Sequence, residues 1–278
     1  MKSTQKRAKS NSPLCRQLSH SLMCYPTPIA GLALGIASLG WALENWFALA
    51  SFGKWAGALI ASFILLIFVL KVVFFSARIW QDLRDPVVGA SIPAATMALM
   101  VISNSVGDFW PDAGQMLWLI AIGLHLMVMT LFIARQAPVF GLDCVNPGWF
   151  VPFVGIITAC VAFPGSLTSS IDTVKQGFDQ DIHLYLRFAT AILWWGLVCY
   201  ALLLPWIMYR LIWGAHLTPV AMPSVAVLAA PGSLSLAGYL TITPHPSPMI
   251  VSLLFGIACL MTVSVYVSFF KLLRLAFS

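Results

Sequence analysis

An uncharged apolar stretch covers residues 147–165 and is long enough to cross a bilayer. Two helix-breaking residues, Pro152 and Gly155, interrupt it. Proline removes a backbone donor and clashes with the preceding turn, so it kinks or breaks a helix. The hydrocarbon of a membrane offers no water to the freed carbonyl groups, and such a break persists only against other helices or a wet cavity. We predict an inward-facing helix beside a permeation path.

Seven further apolar stretches complete a predicted set of eight membrane crossings. Their limits are 26–47, 55–77, 90–106, 114–134, 147–165, 184–209, 218–241 and 249–274. Of the 278 residues, 60% are hydrophobic and 9% are charged, whereas a soluble domain carries about 25% charged residues. We therefore predict an all-α integral membrane protein with eight transmembrane helices in four hairpins, embedded in a lipid bilayer. Residues 1–25 are predicted to be a basic, disordered cytoplasmic tail, and residues 26–278 form the transmembrane helical domain.

The distribution of basic residues predicts the orientation. Twelve of the 15 lysines and arginines lie on the side of the N-terminal tail, and cytoplasmic segments are the ones enriched in these residues. Both termini are therefore predicted to be cytoplasmic, in a plasma (inner) membrane. The net charge of +6 is explained by the tail and the span ends, so no nucleic-acid partner is expected. Lys71 lies near a predicted span end and is expected to extend to the membrane surface.

The crossings alternate in kind. Odd crossings carry glycines and prolines, whereas even crossings are smooth apart from Pro205 near one end. A broken helix followed by a smooth one repeats at starts near residues 26, 90, 147 and 218. Interrupted segments at corresponding repeat positions typically mark a transport site, and here they predict a ring of hairpins around a central path. The alternative is that these residues only allow close helix packing.

Six helix-breaking residues are the predicted pore-lining positions: Pro26, Gly35, Pro93, Pro152, Gly155 and Pro231. Apart from Glu44 near the outer end of the first, the odd crossings contain no charged side chain, so an anion would be guided by backbone dipoles and weak donors. The candidate donors are Ser91, Ser103, Asn104, Ser105, Thr158 and Ser235.

Chemistry of other kinds is not indicated. Phosphate-loop, zinc-protease and nucleophile-elbow motifs are absent from the sequence, so we expect no enzyme, no catalytic residue, no cofactor and no metal site. His125 is the one titratable group well inside a predicted crossing. It is either a packed histidine bonded to a neighbour or at a subunit contact, or a pH-sensing or transport group.

Three stretches resemble the tellurite-resistance/dicarboxylate transporter family, which includes the plant slow anion channels. The first resembles the family passage R-H-P-V … F-P-A-T-T-M, the second N-P-x-W-F-x-P-x-V-x-N, and the third L-P-x-x-L-x-P-S … A-A-P-S. They are residues 84–87 with 92–97, residues 146–155, and residues 217–224 with 229–232. A looser match to the family's opening motif includes Pro26 and Gly35.

The resemblance implies ten helices in five hairpins, with odd helices around an uncharged pore, in a homotrimer. Family members conduct or export small anions: nitrate, chloride, malate and related dicarboxylates, sulfite or tellurite. The sequence ends at the position of the eighth helix, so we expect the last hairpin, with its pore-plugging phenylalanine, to be absent. A truncated product, a premature stop and a natural eight-helix variant all fit. The predicted function is an anion channel or transporter; the alternative is an inactive truncated paralogue or a non-transporting membrane assembly subunit.

Overall fold

The computed structural model describes residues 25–47, 49–139, 141, 145–164, 180–214, 217–218 and 221–276. Throughout these ranges the regular secondary structure is helical. The predicted tail 1–25 lies outside them except for Tyr25.

The longer helices alternate with short helices and turns. In chain order they are α1 (Ile29–Phe47), α2 (Phe52–Phe74), α3 (Ser76–Asp82), α4 (Val88–Ser91), α5 (Ala94–Gly107), α6 (Pro111–Gln136), α7 (Phe150–Val154), α8 (Thr158–Val161), α9 (Gln180–Trp213), α10 (Ala230–Ile242) and α11 (Pro248–Ala276). Tighter 3₁₀ turns cover Ala137–Val139, Pro147–Trp149, Gly155–Ile157 and Met222–Ala229.

Six helical segments of the described chain are long and apolar enough to cross a membrane: Phe52–Phe74, Val88–Gly107, Pro111–Gln136, His183–Trp213, Met222–Ile242 and Pro248–Phe270. The other two predicted crossings correspond to α1, with 19 residues, and to the shorter apolar segment Pro147–Val161. A membrane protein built from apolar helices is therefore confirmed, and six of the eight predicted crossings meet the requirement of length and hydropathy.

Three segments are interrupted where the sequence carries proline or glycine. We call Val88–Gly107 the first broken segment, Pro147–Val161 the central broken segment and Met222–Ile242 the last broken segment. In the first, α4 stops before Pro93 and α5 starts after it, because proline lacks the N–H that would continue the ladder. In the last, a 3₁₀ stretch gives way to a regular helix with Pro231 in its first turn, a position that tolerates proline.

The broken segments lie inside and the smooth helices outside. In the most apolar part of each segment, 78% of residues are buried in the first broken segment and 39% in the last, against 17–33% in α2, α6, α9 and α11. In the central broken segment, every residue is buried except three of intermediate exposure, Val151, Phe153 and Val161. This arrangement agrees with the predicted alternation for the third and fifth crossings and, by a small margin, for the seventh. The prediction is wrong for the first crossing: α1 is a regular helix in which four of 19 residues are buried, Ala30, Ala33, Ala37 and Gly40, because only one face of small residues packs against α2 and α5.

Glycines set the spacing within the first two hairpins. A Cβ on Gly40 of α1 would lie 2.8 Å from the Gly57 Cα of α2. A Cβ on Gly114 of α6 would lie 2.5 Å from the Gly107 Cα of α5. Both distances are shorter than real Cβ contacts, so these backbones approach closely only because the side chains are absent.

A buried ion-pair network fixes the start of α1 to the end of α2. Lys71 Nζ donates to the Tyr25 carbonyl at 2.7 Å and to Thr27 Oγ1 at 2.8 Å, and lies 4.0 Å from Asp82 Oδ2. The Thr27 hydroxyl in turn donates to the Asp82 carboxylate. The prediction that Lys71 extends to the membrane surface is therefore wrong: the side chain is 3% exposed, because two chain segments distant in sequence surround its amine with acceptors.

A second ion pair closes the opposite end of the same bundle. Lys54 Nζ of α2 lies 2.6 Å from Asp108 Oδ2, just after α5, and 5.7 Å from the centre of the Trp41 ring. The carboxylate of Glu44 accepts from the backbone N–H groups of Ser51 and Gly53 and so caps the start of α2. The Lys54–Asp108 pair thus ties the first hairpin to the end of α5.

Candidate functional site

The backbone breaks of the central broken segment are compensated by side chains. Three carbonyl groups in or just after this segment accept hydrogen bonds from donors on α5 and α6. The pairs are Pro152 with His125 Nε2 at 3.1 Å, Ala159 with Trp118 Nε1 at 2.9 Å, and Phe163 with Asn104 Nδ2 at 2.9 Å. The segment therefore survives in an apolar interior because neighbouring helices replace the missing backbone donors.

His125 links the first and central broken segments. Since the Pro152 carbonyl can only accept, Nε2 carries the proton, and Nδ1 of a neutral ring then accepts from the Thr96 hydroxyl at 2.8 Å. The same hydroxyl lies 2.7 Å from the Pro93 carbonyl, so its single proton is shared between two acceptors. The ring is fully buried and bonded on both nitrogens, which agrees with the packed-histidine interpretation of the sequence.

Asn146 joins two of the stretches that carry the family resemblance. Its Oδ1 accepts from the Gly148 N–H at 2.9 Å and caps the start of the central broken segment. Its Nδ2 donates to the Pro86 carbonyl at 3.0 Å. The Asn-Pro and Asp-Pro motifs, about 60 residues apart, therefore meet at the end of the molecule where both broken segments begin.

The predicted pore-lining residues fall into two groups. Pro93, Pro152, Gly155 and Pro231 are buried in the three broken segments, whereas Pro26 and Gly35 lie exposed at and along α1. The structure thus places the first four in the interior and the other two on an open surface.

Gly155 and Gly35 show this difference most clearly. A Cβ on Gly155 would lie 2.5 Å from the sulfur of Met97 in α5. A Cβ on Gly35 would meet nothing within 4 Å. Gly155 therefore allows close packing, the alternative that the sequence left open, and Gly35 borders open space.

Three of the six predicted weak donors are already bonded. Ser91 and Ser103 donate to carbonyls of their own helices at 2.7 and 2.6 Å, and Asn104 is bonded to Phe163. Thr158 and Ser235 differ, because among the described residues their buried hydroxyl oxygens have no hydrogen-bond partner. Burying an unpaired hydroxyl is costly, so each of these groups requires an explanation.

Thr158 and Ser235 belong to segments that touch. Helix α8 of the central broken segment packs against α10 of the last broken segment. At this contact, a Cβ on Gly238 would lie 2.6 Å from the Ile157 side chain and 3.4 Å from Cys160. The two unpaired hydroxyls therefore lie on neighbouring inner segments of the same packed core.

The three broken segments carry no charged side chain, and the described residues contain no cluster of three metal-ligating side chains. A small ion between these segments would meet backbone dipoles, apolar walls and a few hydroxyls. Such surroundings can replace part of an anion's hydration without holding it tightly.

Sequence reasoning missed Trp118 as a supporting residue. It lies in a smooth crossing and is fully buried, where its indole N–H needs an acceptor. A buried tryptophan usually finds one. The signal available in the sequence was an indole N–H within an apolar crossing, where it needs an acceptor.

Comparisons with known proteins agree with this architecture. The family model described as SLAC1, voltage-dependent anion channel, matches residues 29–278. The uncharacterized transporter MJ0576 of Methanocaldococcus jannaschii is 33% identical over 106 residues, which are 36% of this chain and 29% of that protein. The uncharacterized transporter MJ0762 of the same organism is 30% identical over 112 residues, 37% of this chain and 31% of that protein. These matches span about a third of either relative, whereas the family model covers most of the chain, and the protein therefore belongs to the SLAC1 family of voltage-dependent anion channels.

Proposed function

We propose that this protein is a membrane channel or transporter that moves small anions along an uncharged path bordered by its broken segments. Membership of an anion-channel family and similarity to two proteins named as transporters support this function. The candidate substrates are those implied by the resemblance: dicarboxylates such as malate, tellurite, sulfite, nitrate and chloride.

The observation that carries the proposal is the pair of unpaired hydroxyls. Thr158 and Ser235 are 4% and 0% exposed and lack partners within the described chain. Leaving a buried hydroxyl unsatisfied costs about 1–3 kcal/mol. In the proposed path, each hydroxyl donates to a passing anion, and the cost is offset only while the ion is present.

The broken segments mark the rest of the path. Pro93, Pro152, Gly155 and Pro231 interrupt the inner segments and orient their backbone dipoles. Pro26 and Gly35 lie on the exposed face of α1, which we place on the open side of the same path. The proposed setting is a homotrimer in a plasma (inner) membrane with both termini cytoplasmic.

The proposal is tested by removing the hydroxyls without changing side-chain size. We expect Thr158→Val and Ser235→Ala each to lower anion flux from reconstituted vesicles about tenfold, since a hydrogen bond to a charged group contributes roughly 1.5–3 kcal/mol. The apparent melting temperature should stay equal or rise, because an unsatisfied buried group has been removed. Ser233→Ala is the control, since that exposed hydroxyl donates to its own helix at 2.9 Å.

Unchanged flux in both variants would contradict a role for these hydroxyls. A wild-type protein that moves none of the candidate anions faster than protein-free vesicles would favour the second candidate, a non-transporting assembly subunit. The flux assay therefore needs chloride, nitrate, sulfite, tellurite and malate in parallel.

A further inference from the structure

An apolar cavity opens between α2 and α6, the smooth helices of the first two hairpins, and borders the first broken segment. Its volume is about 390 Å³, and its walls come from α2, α3, α5 and α6. Phe68 and Val69 of α2 face Leu124 and Val128 of α6 across it, with Leu99 of α5 at its base. This volume lies within the range of small-molecule pockets, so the cavity can hold a ligand and is more than a packing defect.

The cavity extends along α2 and α6. Its α2 wall runs from Leu65 to Val72 and its α6 wall from Leu124 to Leu131. At 1.5 Å per residue, each wall extends about 10 Å along the helix axis. The walls are apolar except for Thr96 and Ser76, and the Thr96 hydroxyl is engaged with Pro93 and His125. The shape and chemistry suit a hydrocarbon chain.

One end of the cavity is basic. Trp80 of α3 lines it, and the guanidinium carbon of Arg135 lies 4.3 Å from the centre of the Trp80 ring. Arg78 and Arg84 flank the lining residues of α3 in sequence and are exposed. Two carboxylates lie nearby: Asp82 binds Thr27 and lies 4.0 Å from Lys71, and Asp85 accepts from the Val87 and Val88 N–H groups. The four basic side chains Lys71, Arg78, Arg84 and Arg135 outnumber these two carboxylates, so a net positive charge is left at this mouth.

We propose that this cavity binds one anionic phospholipid, with an acyl chain between α2 and α6 and the phosphate beside Arg135. Basic pockets between transmembrane helices bind acidic head groups in this way. A phosphate complements the positive charge at this mouth.

The acyl-chain part of the proposal is tested by filling the cavity. Val69 lines the cavity and is 51% exposed, whereas Val73, one turn further along α2, is 67% exposed and is not part of the wall. In native mass spectrometry of the detergent-solubilised full chain with added lipid, wild type should retain one phosphatidylglycerol per chain. We expect Val69→Trp to reduce that retention at least fivefold and Val73→Trp to leave it unchanged.

The head-group part is tested by removing one charge. We expect wild type to retain phosphatidylglycerol at least fivefold better than phosphatidylcholine, and Arg135→Gln to lower that preference to below twofold. Arg187→Gln, an exposed arginine on α9, is the control and should keep it. Because Arg135→Gln leaves the cavity open, this comparison decides the proposal even where Val69→Trp fails to fold.

Three results would overturn the proposal. Equal retention by Val69→Trp and Val73→Trp would show that lipid binds elsewhere. Equal retention of phosphatidylglycerol, phosphatidylcholine and free fatty acid by wild type would show that the arginines select no head group. A smaller oligomer in Val69→Trp, with lipid retention unchanged, would show that another copy of the chain fills the cavity.

Discussion

The central broken segment and its neighbour α6 satisfy their backbone hydrogen bonds in opposite ways. Helix α6 runs unbroken for 26 residues and satisfies its backbone internally. The central broken segment changes between α-helical and 3₁₀ geometry within 15 residues, and its carbonyls depend on His125, Trp118 and Asn104. An irregular backbone is thus stable at membrane depth here because a regular helix beside it supplies donors.

The two regions also differ in how much of their surface is exposed. In its most apolar stretch α6 is 33% buried, and one of its faces is exposed on the surface of the chain. The central broken segment is enclosed on nearly all sides. The same substitution should therefore cost much more stability in the central broken segment than on the exposed face of α6.

The largest difference is expected for leucine at a glycine. Gly155→Leu would drive a side chain into Met97, since even a Cβ lies 2.5 Å from its sulfur. We expect a loss of about 3 kcal/mol, the upper end of the usual cost of overpacking, measured as a lower apparent melting temperature in detergent. Gly123→Leu on α6 is the control, because a Cβ there meets nothing within 4 Å. An equal loss of stability in both variants would contradict the difference between the central broken segment and α6.

Removing the link between the two regions should have the next largest effect. His125→Leu leaves the Pro152 carbonyl without its donor, so we expect a loss of about 2 kcal/mol, as for other unsatisfied buried groups. His125→Gln retains an amide that can donate to the Pro152 carbonyl and should recover at least half of the lost stability. The two variants are compared by thermal unfolding in the same detergent. A leucine variant as stable as wild type would show that the bond at 3.1 Å does not support the break.

The smallest effect is expected where a smooth helix faces lipid. Leu202 of α9 is 67% exposed, and we expect Leu202→Ala to change stability by less than about 0.5 kcal/mol. Leu193 on the same helix is 1% exposed, and its replacement by alanine is a matched core control that should cost about 3 kcal/mol. Similar losses in both variants, measured by thermal unfolding, would mean that the exposed face of α9 is covered by protein.

The division into broken and smooth segments could be predicted from the sequence for three of the four odd crossings, because proline and glycine act on their own backbone. The first crossing was predicted wrongly, since α1 runs as a regular helix through Gly31, Gly35 and Gly40. The interruption at Pro93 and the 3₁₀ geometry from Gly155 are local consequences of these residues. Family membership was also predictable, since the order of three short motifs carries it.

The partners of these residues could not be predicted. Gly155 faces Met97 and His125 faces Pro152 only after three segments have packed together. Lys71 illustrates the same point: its acceptor at Thr27 is 44 residues away, so no local pattern reveals that its charge is buried. Long-range contacts of this kind follow from the fold and are invisible in a single sequence.

The central claim is that the exposed faces of α1 and of the broken segments border water, whereas the exposed faces of the smooth helices border lipid. It is tested most directly by single cysteines in a background without the six native ones, using a membrane-impermeant thiol reagent on reconstituted vesicles. Gly35 and Ser233 are exposed on α1 and the last broken segment, and Leu202 and Leu260 are 67% and 61% exposed on smooth helices. We predict that Gly35→Cys and Ser233→Cys react and lose anion flux on modification, while Leu202→Cys and Leu260→Cys stay unmodified. Reaction at the two leucine positions with protection of the other two would contradict the account.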